Sequence, residues 1–378
     1  MHIKPTQSQK IRNLLLSMAA TLFSAMAIAI QAPAQTIITF NAPNAGTGAY
    51  QGTSPNGINS LGAIVGTITD NNNVNHGFVR TFDGKSTEFE IPGAAGLSAN
   101  SINDFGTIAG TYSDSSYNAH GFVRTPLGKI TSFDAPGDAG GTYALNINYF
   151  GVVQGYYYDS NTIVHGFLYM PDGTITTFSD PASGSTSPYM GTWAFSLNDW
   201  GAVAGSSTDS LYGSHGFVRA PDGTFTTFNF PGSPEASNGG GLINDLGVVA
   251  ASFGTETGDV GTGYLRTPTG NITAYEAPGA GSAKYEGTYV YALNVEGAVA
   301  GCLDDTNNVQ HSFVRDPFGH FSEFDIPGQL LTPGSGGSCA ESINVAGLVV
   351  GYWLDVNDVF HGFLRFPNIP DRLAKDRH

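Results

Sequence analysis

Positive charge is scarce in this chain. Lys and Arg number 15 against 31 Asp and Glu in 378 residues, a net charge of −16. A surface this acidic repels phosphate backbones, which excludes nucleic acid as a partner. Charged residues of both signs make up only 12%, about half of what a globular domain usually carries. Cysteine is nearly absent, with Cys302 and Cys339 alone. That excludes a disulfide-dense scaffold and a Cys-rich zinc module. Beyond the first 34 residues no stretch is apolar enough to span a bilayer, and no window there holds a helical stripe.

Glycine and proline, by contrast, are abundant. Together they supply 71 of the 378 residues, against an ordinary share of about 12%. Such a chain turns often, which argues against a helical bundle.

The first 34 residues read as an address. Lys4, Lys10 and Arg12 make a basic start, Leu14 to Ile30 is apolar, and Ala32-Pro33-Ala34 supplies small residues where a signal peptidase reads. A secretory signal peptide, residues 1–34, is expected, and the exported protein is extracellular or periplasmic. Its removal takes three basic residues and no acid, so the net charge falls from −16 to −19. An oxidising compartment permits a Cys302–Cys339 bridge. Two buried thiols are the alternative, and the sequence leaves both open.

The remainder is one motif written seven times. An [Ile/Leu]-Asn-x-x-Gly signal places its Asn at Asn59, Asn103, Asn148, Asn198, Asn244, Asn294 and Asn344, a mean step of 47.5. That period belongs with propeller blades and is too long for ankyrin or leucine-rich repeats. Each repeat reads as four short strands. The first ends at the Asn, as in Gly141-Thr-Tyr-Ala-Leu-Asn-Ile-Asn148. The second runs as Gly106 to Tyr112, the third begins at a His-Gly-Phe-Val-Arg such as His120 to Arg124, and the fourth follows a Pro-Asp-Gly turn, as in Phe225 to Phe228. Short Val, Ile, Thr, Phe and Tyr runs split by Gly, Asn and Asp are the β signature.

The ends fit together. The seventh repeat stops after His361 to Arg365 and lacks a fourth strand, while Thr36 to Phe40 is a fourth strand without a repeat. Closing the array would leave only short, protected sheet edges. The expected fold is all-β: a seven-bladed propeller of four-stranded antiparallel blades over residues 35–368, closed by the N-terminal strand, with a polar tail at 369–378. An open solenoid is the second choice and would not need the swapped strand.

The stretches Asn103-Asp104-Phe105-Gly106…Gly110 and Asn198-Asp199-Trp200-Gly201…Gly205, followed by His-[small]-Phe, resemble the HAF-repeat family of extracellular repeat proteins. His-Gly-Phe stands where that family has His-Ala-Phe, and Arg where it often shows an aromatic. The resemblance implies secretion and a repeat fold, and no activity.

The recurring polar residues read as structural. An Asp stands six positions before the His in six repeats, as in Asp70/His76 and Asp305/His311. Across a hairpin mouth such an Asp binds turn amides and the imidazole. Calcium is the other reading of Asp/Asn-rich turns such as Asp304 to Asn308, but no acid stands where a bidentate ligand is needed. No cofactor is expected, and no catalytic or metal-ligating residue is singled out. The Arg column (Arg80, Arg124, Arg219, Arg266, Arg315 and Arg365) is expected to pair with carboxylates or cap turns, with a basic ring for an anionic ligand as the alternative.

Function should sit where the repeats differ. The turns after Asn and at Pro-Asp-Gly lie at one end of a repeat. The hairpin after Asp and the link to the next repeat lie at the other. The link is long at Ser179–Tyr189, Gly279–Glu286 and Gln329–Gly336, and loops on one face of a rigid scaffold are where binding gathers. Strand-one positions are aromatic only in repeats three, four and six, which singles out Tyr143, Trp193, Tyr289 and Tyr291, with Tyr189, Lys284 and Tyr285 in the adjoining links. An uneven aromatic mouth suits stacking on sugar rings or holding a peptide; packing between repeats is the alternative role of the same rings. The expectation is a secreted, non-catalytic, monomeric protein that binds carbohydrate or a surface protein. The alternative is a polysaccharide lyase or glycosidase. Tyr285 beside Lys284 is the one pair offering a base and a cation for a lyase. Repeat five is the odd one, with Glu256 and Thr262 where Asp and His are expected.

Overall fold

The computed structural model describes residues 36–230, 241–254, 260–334 and 336–367. The expected signal peptide, the tail at 369–378 and Glu256 lie outside the described residues. Among the described residues there are 28 strands and no helix, from Ile37–Phe40 to Phe360–Arg365. The all-β expectation is met.

Strands follow in fours and pair antiparallel in chain order. In repeat two, Gly96–Ile102, Ile108–Ser113, Ala119–Arg124 and Ile130–Phe133 make a four-stranded sheet. Between repeats the backbone contact narrows to one parallel pair, such as Val164 with Gly191. The terminal strand Ile37–Phe40 pairs antiparallel with Phe360–Arg365.

The third-strand Phe forms each repeat's core. Phe78, Phe122, Phe167, Phe217, Phe313 and Phe363 are fully buried, with Tyr264 in their place in repeat five. Gly110 shows why glycine precedes it on strand two: a Cβ there would collide with the Ser98 carbonyl and the Phe122 ring. Strand one then carries a one-residue bulge at Asn56, Asn100, Leu145, Phe195, Tyr291 and Glu341. A bulge re-aims one side chain. Asn56 and Asn100 use it to donate to the next repeat's backbone, at Ala99 and Ala144.

The repeat Asn links each repeat to the next. Its Oδ1 accepts amides two and four residues on, as Asn198 does from Trp200 and Ala202. Its Nδ2 donates to the carbonyl of the next repeat's Asn, at 2.9–3.3 Å in all seven. The seventh of these bonds runs from Asn344 to Asn59.

The Arg column corrects the expectation of carboxylate partners. Each guanidinium lies on the aromatic ring that ends the preceding sheet: Arg80 on Phe40, Arg124 on Phe89, Arg219 on Phe178, Arg266 on Phe228, Arg315 on Tyr275 and Arg365 on Phe324, all at 4.6–4.8 Å. A desolvated contact of this kind contributes about 1–2 kcal/mol. Turn capping does occur, since Arg124 Nη1 also reaches the Thr125 carbonyl. In repeat three Tyr169 stands in for Arg and stacks on Phe133 at 4.1 Å. Each of these cations is thus held between one repeat and the next. Cys302 and Cys339 are bridged, which fastens strand two of repeat six to strand one of repeat seven.

Candidate functional site

The Asp–His hairpins and the links share one end of the molecule. The Tyr189 amide donates to the Thr162 carbonyl, and the Tyr50 amide to the Asp358 carbonyl, so each of these links rests on the hairpin of the repeat before it. In each hairpin the Asp binds its own turn. Asp114 Oδ1 accepts the Ser116 and Asn118 amides at 2.8 and 2.9 Å, and its Oδ2 faces His120 Nε2 at 3.6 Å. These bonds hold the Asp114 carboxyl down at about 2, led by those from Asn118. The hairpin carboxylates are therefore engaged within the fold.

Five tyrosines at this end stand in an unusual backbone state. Ten non-glycine residues among those described have positive φ, and five are Tyr50, Tyr117, Tyr189, Tyr212 and Tyr285, with φ of 61–68°. Left-handed backbone favours Gly, Asn and Asp and disfavours bulky residues. Asn73, Asn308 and Asp358 obey this at the hairpin position that holds Tyr117 and Tyr212, while repeat three has the β-branched Thr162 there with φ of 63°. The five tyrosines are 62–82% exposed, so little packing offsets the strain. Strain of this kind clusters at functional sites.

Behind them lies an aromatic wall in repeats three and four. Tyr143 stacks on Tyr156 at 5.0 Å, Tyr156 tilts against Trp193 at 5.0 Å, and Tyr158 meets Trp193 and Tyr189 edge-on at 5.8 and 6.1 Å. The structure thus gathers Tyr143, Tyr189 and Trp193 through two residues that the sequence analysis did not single out. Strand pairing exposes the missing signal. Tyr143 lies opposite Tyr156, and Tyr158, two positions on, shares that face. Burial pushes the Tyr143, Tyr156 and Tyr158 phenols up, so each is neutral and able to donate.

The other candidates do not join this wall. Lys284 lies over the Tyr285 ring at 4.8 Å, which turns the proposed base and cation toward each other. Tyr289 packs against Gly261 and donates to the Glu286 carbonyl. Tyr291 belongs to a second group with Asp304, Glu341 and Tyr352. Burial raises the Glu341 carboxyl to about 7. Burial, then the charge of Asp305, raises Asp304 to about 6. Tyr291 keeps 45% of its surface exposed, and partial desolvation with the neighbouring carboxylates of Glu341 and Asp304 lifts its phenol to about 12. The Tyr352 hydroxyl donates to Gln310 at 3.3 Å. Thr262 of repeat five is buried.

A cavity of about 540 Å³ opens at the opposite end, lined by Ile58, Ile102, Ile147, Leu197, Ile243, Leu293, Ile343 and the seven repeat Asn residues. Three of its acids serve the fold. Asp104, Asp199 and Asp245 accept the amides of Ser60, Tyr149 and Asp199, each from the repeat before. Phe105 and Tyr149 also line it, their rings tilted together at 4.9 Å; the tyrosines in left-handed backbone lie at the other end, which sets the cavity apart from the candidate site.

No family model matches the chain, which leaves the HAF-repeat resemblance without support, and no curated relative matches it. Solved structures do. The β-propeller domain of the Trilobed protease from Pyrococcus furiosus is 11% identical with a TM-score of 0.52, covering 86% of this chain and 95% of that one. Puromycin hydrolase is 14% identical with a TM-score of 0.51, covering 84% of this chain and 50% of its own. A lectin from Aleuria aurantia, in complex with Fucalpha1-6GlcNAc, scores 0.43 at 10% identity, covering 73% and 94%, too low a score to bear on function. At these identities the likeness shows the fold, a β-propeller, and nothing of the activity.

Proposed function

We propose that the protein is a secreted, seven-bladed propeller that binds carbohydrate through the face formed by its links and Asp–His hairpins. The five exposed tyrosines in left-handed backbone carry this reading. Planar rings open to solvent suit stacking on the apolar faces of sugar rings. The wall from Tyr143 to Trp193 deepens the same face, and Tyr352, Gln310 and Glu341 add polar groups that can orient a hydroxyl-rich ligand. The blade count rests on the seven Asn links. Closure by the N-terminal strand is supported by the pairing of Ile37–Phe40 with Phe360–Arg365. Export rests on residues 1–34 and is tested by N-terminal sequencing of the mature protein. The protein is read as a monomer.

A glycan array with the purified chain, in calcium and in chelator, tests the binding. A specific hit lost in Tyr117→Asn with Tyr189→Asn is expected. A blank in both buffers refutes carbohydrate and favours a protein partner, and chelator sensitivity would bring calcium into the site.

One observation favours a second reading. Asp304 and Glu341 both titrate near neutrality and stand close enough to perturb the same tyrosines. Perturbed acids cluster at catalytic sites, so a polysaccharide hydrolase is the alternative. Turnover of an array hit that Glu341→Gln abolishes would establish it.

A further inference from the structure

Six repeats share the Asp–His hairpin, and they serve as internal controls for one another. In five of them the His Nδ1 meets a single partner 14 positions on in the repeat. These are Asp134, Ser179, Asn229, Asp325 and, for His361, Asn41 of the terminal strand, at 2.5–2.8 Å. Repeat one differs. His76 Nδ1 faces two carboxylates, Glu90 at 3.1 Å and Glu88 at 3.4 Å. The three ligand atoms lie within 4.8 Å of one another. Repeat six has acids at both equivalent places, but its Glu323 accepts the Gly279 amide and only Asp325 meets the imidazole.

We propose that His76, Glu88 and Glu90 form a binding site for a divalent transition-metal ion of the zinc class. Two ligands about 2.1 Å from a tetrahedral ion stand about 3.4 Å apart, close to both His–Glu separations. Three protein ligands of one nitrogen and two oxygens leave a fourth position open, the pattern of an exchangeable site. The supports that orient such ligands are in place. Asp70 Oδ2 faces the other imidazole nitrogen, Nε2, at 3.5 Å, which fixes the ring so that Nδ1 points at the acids. Asn44 Nδ2 holds the second oxygen of Glu88 at 2.8 Å. The site is accessible, because the Glu90 side chain is 66% exposed while His76 and Glu88 are largely covered. An imidazole ligand selects against calcium, a hard cation that takes oxygen ligands.

Equilibrium dialysis of the chain against Zn²⁺, purified without a polyhistidine tag, tests the assignment. One equivalent per chain is expected. Glu88→Gln with Glu90→Gln should lower affinity at least about tenfold, and Asp70→Asn, a positioning residue, by about 10–100-fold. His120→Gln, at the matching hairpin with one carboxylate, should leave binding unchanged. Zn²⁺ should raise the thermal midpoint of the wild type and not of the double Gln variant. Because Glu→Gln preserves shape, that variant should match the wild-type midpoint without metal to within a few degrees. Absence of stoichiometric binding, binding that survives the double substitution, equal loss in His120→Gln, or tighter binding of Ca²⁺ would each overturn it.

Discussion

Replacing Tyr117 and Tyr212 by Asn separates a binding role from a structural one. Asn already occupies the same hairpin position in two other repeats, as Asn73 and Asn308, so the loop accepts it. Two effects compete. Left-handed backbone disfavours a bulky residue by roughly 1–2 kcal/mol, and Asn relieves much of that. The ring's own burial is lost in exchange. Tyr117 is 82% exposed, so about 40 Å² of a side chain that can bury about 200 Å² is covered, or roughly 1 kcal/mol. The terms nearly cancel. Tyr117→Asn should leave the free energy of unfolding within about 1 kcal/mol of wild type. Tyr212 is 66% exposed, and its larger covered fraction tips the balance slightly toward loss. Urea unfolding measures this, and the same samples are taken to the glycan array. Stability retained with binding lost is the expected result. A loss above about 2 kcal/mol at Tyr117 would refute the reasoning, since the ring would then be holding the hairpin.

Three further outcomes follow from the described contacts. Glu341→Gln should stabilise the protein at pH 8 and change little at pH 4. A carboxyl raised from 4.5 to about 7 by folding favours the folded state in acid and opposes it increasingly between those values, by up to about 3 kcal/mol. A pH-independent difference in unfolding free energy would count against it. Asn198→Asp keeps the acceptor for Trp200 and Ala202 but replaces the donor to the Asn244 carbonyl, 3.1 Å away and buried. It should cost about 3 kcal/mol at pH 7, and less in acid, where a protonated Asp can donate; a melt within error of wild type would mean the link is dispensable. Reduction of the wild-type Cys302–Cys339 bridge, which closes a 37-residue loop, should lower stability by about 4 kcal/mol on the loop-entropy account, and identical oxidised and reduced urea curves would refute it.

Strand positions were legible because turns are local. The fourth strand Phe225–Phe228 and the third strand ending at Arg124 stand where the Gly and Asp punctuation placed them. The exposed aromatic face was legible in part, through Tyr143, Tyr189, Trp193 and Tyr285. Its other members depend on terms a linear pattern does not carry. Tyr156 needs the strand register that sets it against Tyr143. Tyr117 and Tyr212 need φ. The Arg124–Phe89 contact joins residues 35 positions apart in different sheets. In the sequence the same column read as partners for carboxylates, because charge is visible there and the neighbouring ring is not.

The pairing of Ile37–Phe40 with Phe360–Arg365 fixes an order of events as the protein is made. His361 bonds Asn41 across 320 positions, so one sheet cannot be finished before almost the whole chain exists. Until then the first strand waits with unpaired amides and carbonyls, the condition that invites another chain to pair with it. The entropy of closing so long a loop grows only slowly with length and comes to about 5 kcal/mol, but contacts this distant are slow to form. The sheet that holds the first described strand is therefore among the last to be completed. Deleting Thr36 to Phe40 would uncover the edge of Phe360–Arg365, and deleting Phe360 to Arg365 would uncover Val349–Leu354 and leave Ile37–Phe40 without its partner.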